Sequence, residues 1–99
     1  MQAHYPESFD REMGCTAAEL VQWLPGAAQG RPVEVGREQA RVLIDAGQLM
    51  LTWHTLPPRQ IALMRIPRLA VSFRFSGVDE APRQSFMRYF DLYTQRGGG

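Results

Sequence analysis

The chain has 99 residues, 44% of them hydrophobic, and a net charge of +1. That length and apolar content suit one modest globular core and exclude wholesale disorder. No apolar run approaches the ~18 residues of a membrane span, no basic-then-apolar leader is visible, and the single cysteine, Cys15, excludes an internal disulfide.

All eleven basic residues are Arg, and both Lys and Asn are absent. The codon usage of a GC-rich, bacterial genome accounts for such a bias. A cytoplasmic location with no membrane partner is the expectation these features set. The charge is divided unevenly: residues 1–57 carry four Arg against seven acids (net −3), and residues 58–99 carry seven Arg against three acids (net +4). Such asymmetry fits either a surface for an anionic partner or mutual attraction between the two halves within the fold.

Residues 1–13 hold no clear periodicity, and Pro6 with the mixed charges suggests a mobile or draped lead-in. Thr16-Ala17-Ala18-Glu19 is a capping box, which starts a helix through Leu20, Val21, Trp23 and Leu24. Pro25-Gly26 is expected to stop that helix, and residues 25–32 to form a loop. From residue 32 onward the apolar positions alternate with period two, the signature of half-buried strands. The expected strands are Pro32–Val35, Gln39–Asp45, Gln48–Leu56, Arg59–Ile66 and Arg68–Ser76. Asp45–Gln48 serves as a turn with Gly47 available for positive φ, and Pro57-Pro58 and Pro67 act as breaks. Residues 38–46 also read as a possible helix. Short links make neighbouring strands antiparallel, so the simplest arrangement is a meander. A final helix is capped by Asp79 and tolerates Pro82 in its first turn. It carries a core-facing stripe of Phe86, Met87, Phe90 and Tyr93, opposite a polar stripe of Gln84, Arg88, Asp91 and Gln95. The fold class is therefore α+β: one domain over residues 1–99, an antiparallel meander of four to five strands with an N-terminal helix and a C-terminal helix packed on one face.

Strand parity sorts the side chains by face. With tight turns at Asp45–Gln48, Leu56–Arg59 and Ile66–Pro67, the core face gathers Ala40, Val42, Ile44, Leu49, Leu51, Trp53, Ala62, Met64, Leu69, Val71, Phe73 and Phe75. The other face gathers Arg41, Leu43, Met50, Thr52, His54, Arg59, Ile61, Leu63, Arg65, Arg68, Ala70, Ser72 and Arg74. Four Arg from the last two strands then surround an apolar centre. Like charges facing one another destabilise a sheet, so a compensating contact is required. Candidates are solvent with Arg stems lying over Ile61 and Leu63, cover by the N-terminal helix, or a second copy, since an apolar strip with an Arg rim suits an interface.

The catalytic inventory is thin. Cys15 lies just before the helix N-cap, where a helix dipole lowers a thiol pKa, yet neither His4 nor His54 stands near it in sequence. No metal-ligand spacing, P-loop or Gly-rich dinucleotide motif occurs, so no cofactor and no metal are expected and a non-catalytic role is favoured. The expected function is a small interaction or ligand-binding domain that uses the outer sheet face for an unidentified protein partner or for self-association, through Arg59, Arg65, Arg68, Arg74, His54, Ile61 and Leu63. An alternative is anion or single-stranded nucleic-acid binding by the same Arg set, although a sheet that reads single strands needs stacking aromatics on that face and parity turns Trp53, Phe73 and Phe75 away. A third class rests on Arg96-Gly97-Gly98-Gly99, which resembles the Gly-Gly ends of ubiquitin-like and sulfur-carrier proteins. Those folds usually reach the tail from a strand, whereas a helix precedes it here.

Overall fold

The computed structural model describes residues 3–95. Five antiparallel strands form one sheet in the order β1-β5-β4-β3-β2. The elements are β1 (Ser8–Met13), α1 (Ala17–Ala27), β2 (Val33–Val35), β3 (Gln39–Ile44), β4 (Gly47–Ile61), β5 (Met64–Ser76) and α2 (Glu80–Gln95). Strands β2 to β5 are the meander, and α1 carries the chain from β1 at one edge to β2 at the other.

The α+β class and the antiparallel meander match the sequence expectation, but several elements differ. The supposed lead-in contains β1, which pairs with β5 from Ser8↔Arg74 to Met13↔Leu69. The helix α1 begins with the expected capping box: the Glu19 amide donates to Thr16 Oγ1, and the Thr16 amide donates to Glu19 Oε1. It then continues through Pro25-Gly26 to Ala27. Proline forfeits one backbone bond near the helix end, while Leu24 and Ala27 on either side are buried and hold the turn in place. Gly26 is needed for packing: a Cβ there would lie 2.1 Å from the Tyr93 hydroxyl of α2. Residues 39–44 are strand rather than helix. At the β3–β4 turn the positive φ belongs to Asp45 (53°), while Gly47 is required by close approach, since a Cβ would lie 2.3 Å from the Gly77 carbonyl oxygen.

The largest difference is the β4–β5 hairpin. Neither Pro57-Pro58 nor Pro67 ends a strand. Leu56 pairs with Arg68 and Arg59 with Ile66, so the two prolines of β4 bulge opposite the one proline of β5. Proline is tolerated at bulges and free edges because its missing N–H leaves no ladder bond unmade there. The Arg68 guanidinium (Nη1) donates to the Pro57 carbonyl at 3.2 Å. The hairpin turns instead at Ala62-Leu63, with Ala62 in the left-handed region (φ 52°).

Both helices pack on one face of the sheet. Leu20, Leu24 and Ala27 of α1 and Phe86, Met87 and Phe90 of α2 share a core with Ala40, Val42, Ile44, Leu49, Leu51, Trp53, Leu69, Val71, Phe73 and Phe75. Burying each large side chain contributes roughly 1.5–3 kcal/mol. Phe9 stacks on Phe73 at 4.7 Å and Phe73 meets Phe90 edge-on at 5.5 Å. Ala62 and Met64, assigned by parity to the core, are instead exposed at the hairpin end, because β4 and β5 are longer than the break at the prolines implied.

The supposed polar stripe of α2 is partly buried. Asp91 accepts from the Tyr5 hydroxyl at 2.6 Å and from Arg11 Nη1 at 2.6 Å. The Arg11 guanidinium also lies 5.4 Å from the Phe9 ring centroid and 5.1 Å from that of Phe73. Gln84 donates to the Tyr5 carbonyl and accepts from the Tyr5 amide, and Arg83 Nε donates to the same carbonyl. These bonds satisfy charged and polar groups that would otherwise be costly to bury, and they fasten the N-terminal segment to α2.

Burial and donation to Asp91 push the Tyr5 hydroxyl up to about 12. A folded pKa above the unfolded value near 10 means that the contribution is complete below pH ~10 and disappears as the pH rises towards 12. Tyr5→Phe is expected to lower stability at neutral pH by about 1–3 kcal/mol, since a buried carboxylate loses a donor. It should also flatten the alkaline loss of stability between pH ~10 and 12. Denaturant melts of both proteins across that range check both effects.

Candidate functional site

The outer sheet face is covered by neither helix. Its rows follow from the register: Asp10, Ser72, Thr52 and Gln39 lie across the sheet in one row, and Glu12, Ala70 and His54 in the next. Between these rows is a depression of about 400 Å³ lined in part by Asp10, Glu12, Thr52, His54, Ala70 and Ser72.

The Arg side chains of this face are neutralised, and β1 supplies the counter-charges. Arg68 Nη2 lies 2.7 Å from Glu12 Oε1, Arg59 Nη2 lies 3.8 Å from Glu12 Oε2, and Arg74 Nη2 lies 3.0 Å from Asp10 Oδ1. Arg41 pairs with Glu34. The bond from Arg68 holds Glu12 below the usual carboxylate range, and bonds from Ser72 and then Arg74 do the same for Asp10. The compensating contact that the clustered Arg demanded is therefore an acidic strand of the same chain.

The seven residues expected to form one site separate into two groups. Arg68 and Arg74 lie on the outer face of β5, His54 lies beside them on β4 opposite Ala70, and Arg59 joins them through Glu12. Arg65 does not share that face. Because β5 runs unbroken through Pro67, Arg65 and Arg68 are an odd number of residues apart and project to opposite sides. Ile61 and Leu63 are not the centre of the face either; they belong to the hairpin end.

That end forms a projecting arm. The last β1 partner is Leu69 and the last β3 partner is Thr52, so Leu56–Ile61 and Met64–Arg68 pair only with each other. Six residues span about 20 Å at ~3.3 Å per residue, and the molecule is 46 Å along its longest axis. At the tip Leu63 is 99% exposed, Met64 64% and Ile61 50%. Gln60 Nε2 donates to the Ala62 carbonyl at 3.2 Å and braces the turn. From residue 46 to residue 78 the chain has no acidic residue, so the only charges on the arm are Arg59, Arg65 and Arg68.

Other candidates are weaker. Cys15 is buried beside a depression of about 410 Å³ that Arg11, Trp23, Asp91 and Thr94 also line. Burial and the nearby Glu19 carboxylate push its thiol up to about 11, the reverse of the lowering expected from the helix start. Among the described residues no group of His, Cys, Asp and Glu is placed to hold a metal ion. The Arg96–Gly99 tail lies outside the described residues. The chain matches no protein-family model, no curated protein and no solved structure.

Sequence reasoning missed Asp10, Glu12 and Met64. The signal for the first two was present, since Phe9 and Met13 alternate with Asp10 and Glu12. Arg11, at the apolar phase of that alternation, concealed it.

Paired Arg make a poor phosphate surface. The wild-type chain is expected to bind single-stranded oligonucleotide weakly at low salt, whereas Asp10→Asn with Glu12→Gln frees Arg59, Arg68 and Arg74 and should tighten binding with a steeper salt dependence. Fluorescence anisotropy titrations at several salt concentrations compare the two; equal affinities would show that the ion pairs do not control this face.

Proposed function

We propose that this chain is a non-catalytic interaction domain whose working element is the β4–β5 arm, with the adjoining outer face as a secondary surface. The observation that carries this reading is the exposure of Leu63, Met64 and Ile61 together at the end of a two-stranded ribbon. Exposed apolar groups scattered singly need no explanation, but three contiguous ones on a projecting element favour a contact surface. The prolines support a use through side chains: Pro57, Pro58 and Pro67 blunt the free edges against pairing with another strand, which leaves the tip as the adhesive part.

The anion and nucleic-acid alternative has less support. Arg59, Arg68 and Arg74 already have carboxylate partners, and Trp53, Phe73 and Phe75 are buried in the core.

Selective labelling tests the proposal. Cys15 is buried and its thiol is raised to about 11, so at neutral pH a cysteine introduced as Leu63→Cys takes a polarity-sensitive fluorophore ahead of it. Addition of total extract from the source cells, membranes included, should shift the emission of the label at 63 to shorter wavelength. A label at Ser85→Cys, exposed on α2, should not respond. An unresponsive label at 63, or equal responses at both positions, contradicts the proposal.

A further inference from the structure

We infer that the arm engages the surface of an anionic lipid bilayer, by shallow insertion of its apolar tip. The inference rests on the arm being the working element and names what it touches. Membrane contact of this kind needs no spanning segment: among the described residues no helix is long and apolar enough to cross a membrane, and interfacial binders do not cross.

The order of residues along the arm carries the argument. Leu63 forms the extreme end in the turn, with the Ile61–Met64 pair directly behind it. Arg65 follows one residue behind Met64, and Arg59 two residues behind Ile61. At ~3.3 Å per residue these guanidinium stems start about 3 and 7 Å behind the apolar pair. Interfacial elements bury their apolar part about 5–10 Å into the headgroup and acyl boundary, so an inserted tip brings Arg65 to the depth of the lipid phosphates. Arg65 and Arg59 project to opposite sides of the ribbon, and the Arg59 head turns back to Glu12, which leaves Arg65 as the cation beside the tip. The long Arg65 stem lets its charged head stay at phosphate level while its carbon chain follows the tip inward.

Charge favours an anionic layer over a neutral one. Residues 46–78 contain Arg59, Arg65, Arg68 and Arg74 and no carboxylate. Arg59 and Arg68 are held near the base by Glu12, and Arg65 has no side-chain partner among the described residues, so it is the cation available to a phosphate. A second copy of the arm is a poor occupant on the same ground, since two tips would bring like charges together. The arm also continues beyond Leu69, the last residue that β1 pairs with, to the Ile61–Met64 pair, so the tip stands clear of the acidic β1 strand.

Vesicle co-sedimentation of the full chain tests the inference, with phosphatidylcholine vesicles containing phosphatidylglycerol and with phosphatidylcholine alone. Binding is expected to the anionic vesicles and to fall as salt is raised. Leu63→Ser, at a fully exposed position that leaves the core untouched, should weaken binding about tenfold or more. Arg65→Gln should weaken it about fivefold. Near-ultraviolet circular dichroism of each variant checks that it is folded. The fluorophore at Leu63→Cys should shift with anionic vesicles and stay unchanged with inorganic phosphate, which separates a lipid surface from a free anion. Equal binding to both vesicle types, or binding indifferent to Leu63→Ser, overturns the inference. So does a label that ignores vesicles yet responds to extract cleared of membranes; that result indicates a protein partner and leaves the arm as the working element. A label that responds to neither removes both.

Discussion

The buried carboxylate of Asp91 is the interaction on which the arrangement of this molecule depends. It accepts from the Tyr5 hydroxyl and from Arg11, and through them it secures the first strand to the last helix. A charge this deep is tolerated only because it is paired and fully hydrogen-bonded, and removing one partner leaves the other uncompensated. The docking has an electrical consequence on the far side of the sheet. Once Arg11 faces inward, Asp10 and Glu12 on either side of it must face outward, where they meet Arg74, Arg68 and Arg59.

The uneven charge of the chain is resolved by this geometry. The acidic N-terminal portion and the basic C-terminal portion attract each other across adjacent strands, and most of the Arg cluster is consumed. Exposed ion pairs of this kind add little stability individually; their effect is to remove positive potential from the flat face. What remains is the arm, where β1 no longer runs alongside and Arg65 stands next to an apolar tip without a carboxylate partner among the described residues. Fold and candidate site are thus linked: where β1 ends determines where the basic, apolar element begins.

Much of the fold was legible in the sequence, and the failures have specific causes. The alternation of Leu69, Val71, Phe73 and Phe75, and of Ala40, Val42 and Ile44, identifies the core face because each strand buries one side only. The Thr16–Glu19 capping box places the start of α1. Proline misled three times, at 25, 57-58 and 67, because its backbone penalty applies within a central ladder or helix interior and is small at a helix end, a bulge or a free edge. Misplacing the hairpin turn then shifted the parity of residues 64–66, which moved Arg65 onto a face it does not occupy, put Ile61 and Leu63 at the centre of that face instead of at the hairpin end, and assigned Ala62 and Met64 to the core. The first strand and the buried side of α2 were hidden by polar residues in apolar phase, Arg11, Gln84 and Asp91. Such residues are readable only when their partners are known, and these partners are more than seventy positions apart.

The central claim, that Asp91 positions β1 and so governs the charge of the outer face, is tested most directly by native-state hydrogen exchange on Asp91→Asn. Loss of the carboxylate's charge should speed exchange of the β1 amides that bond to β5 far more than that of the amides joining β3 to β4, because β1 is an edge strand held by this anchor. Unchanged protection in β1, or an equal rise throughout the sheet, would contradict it.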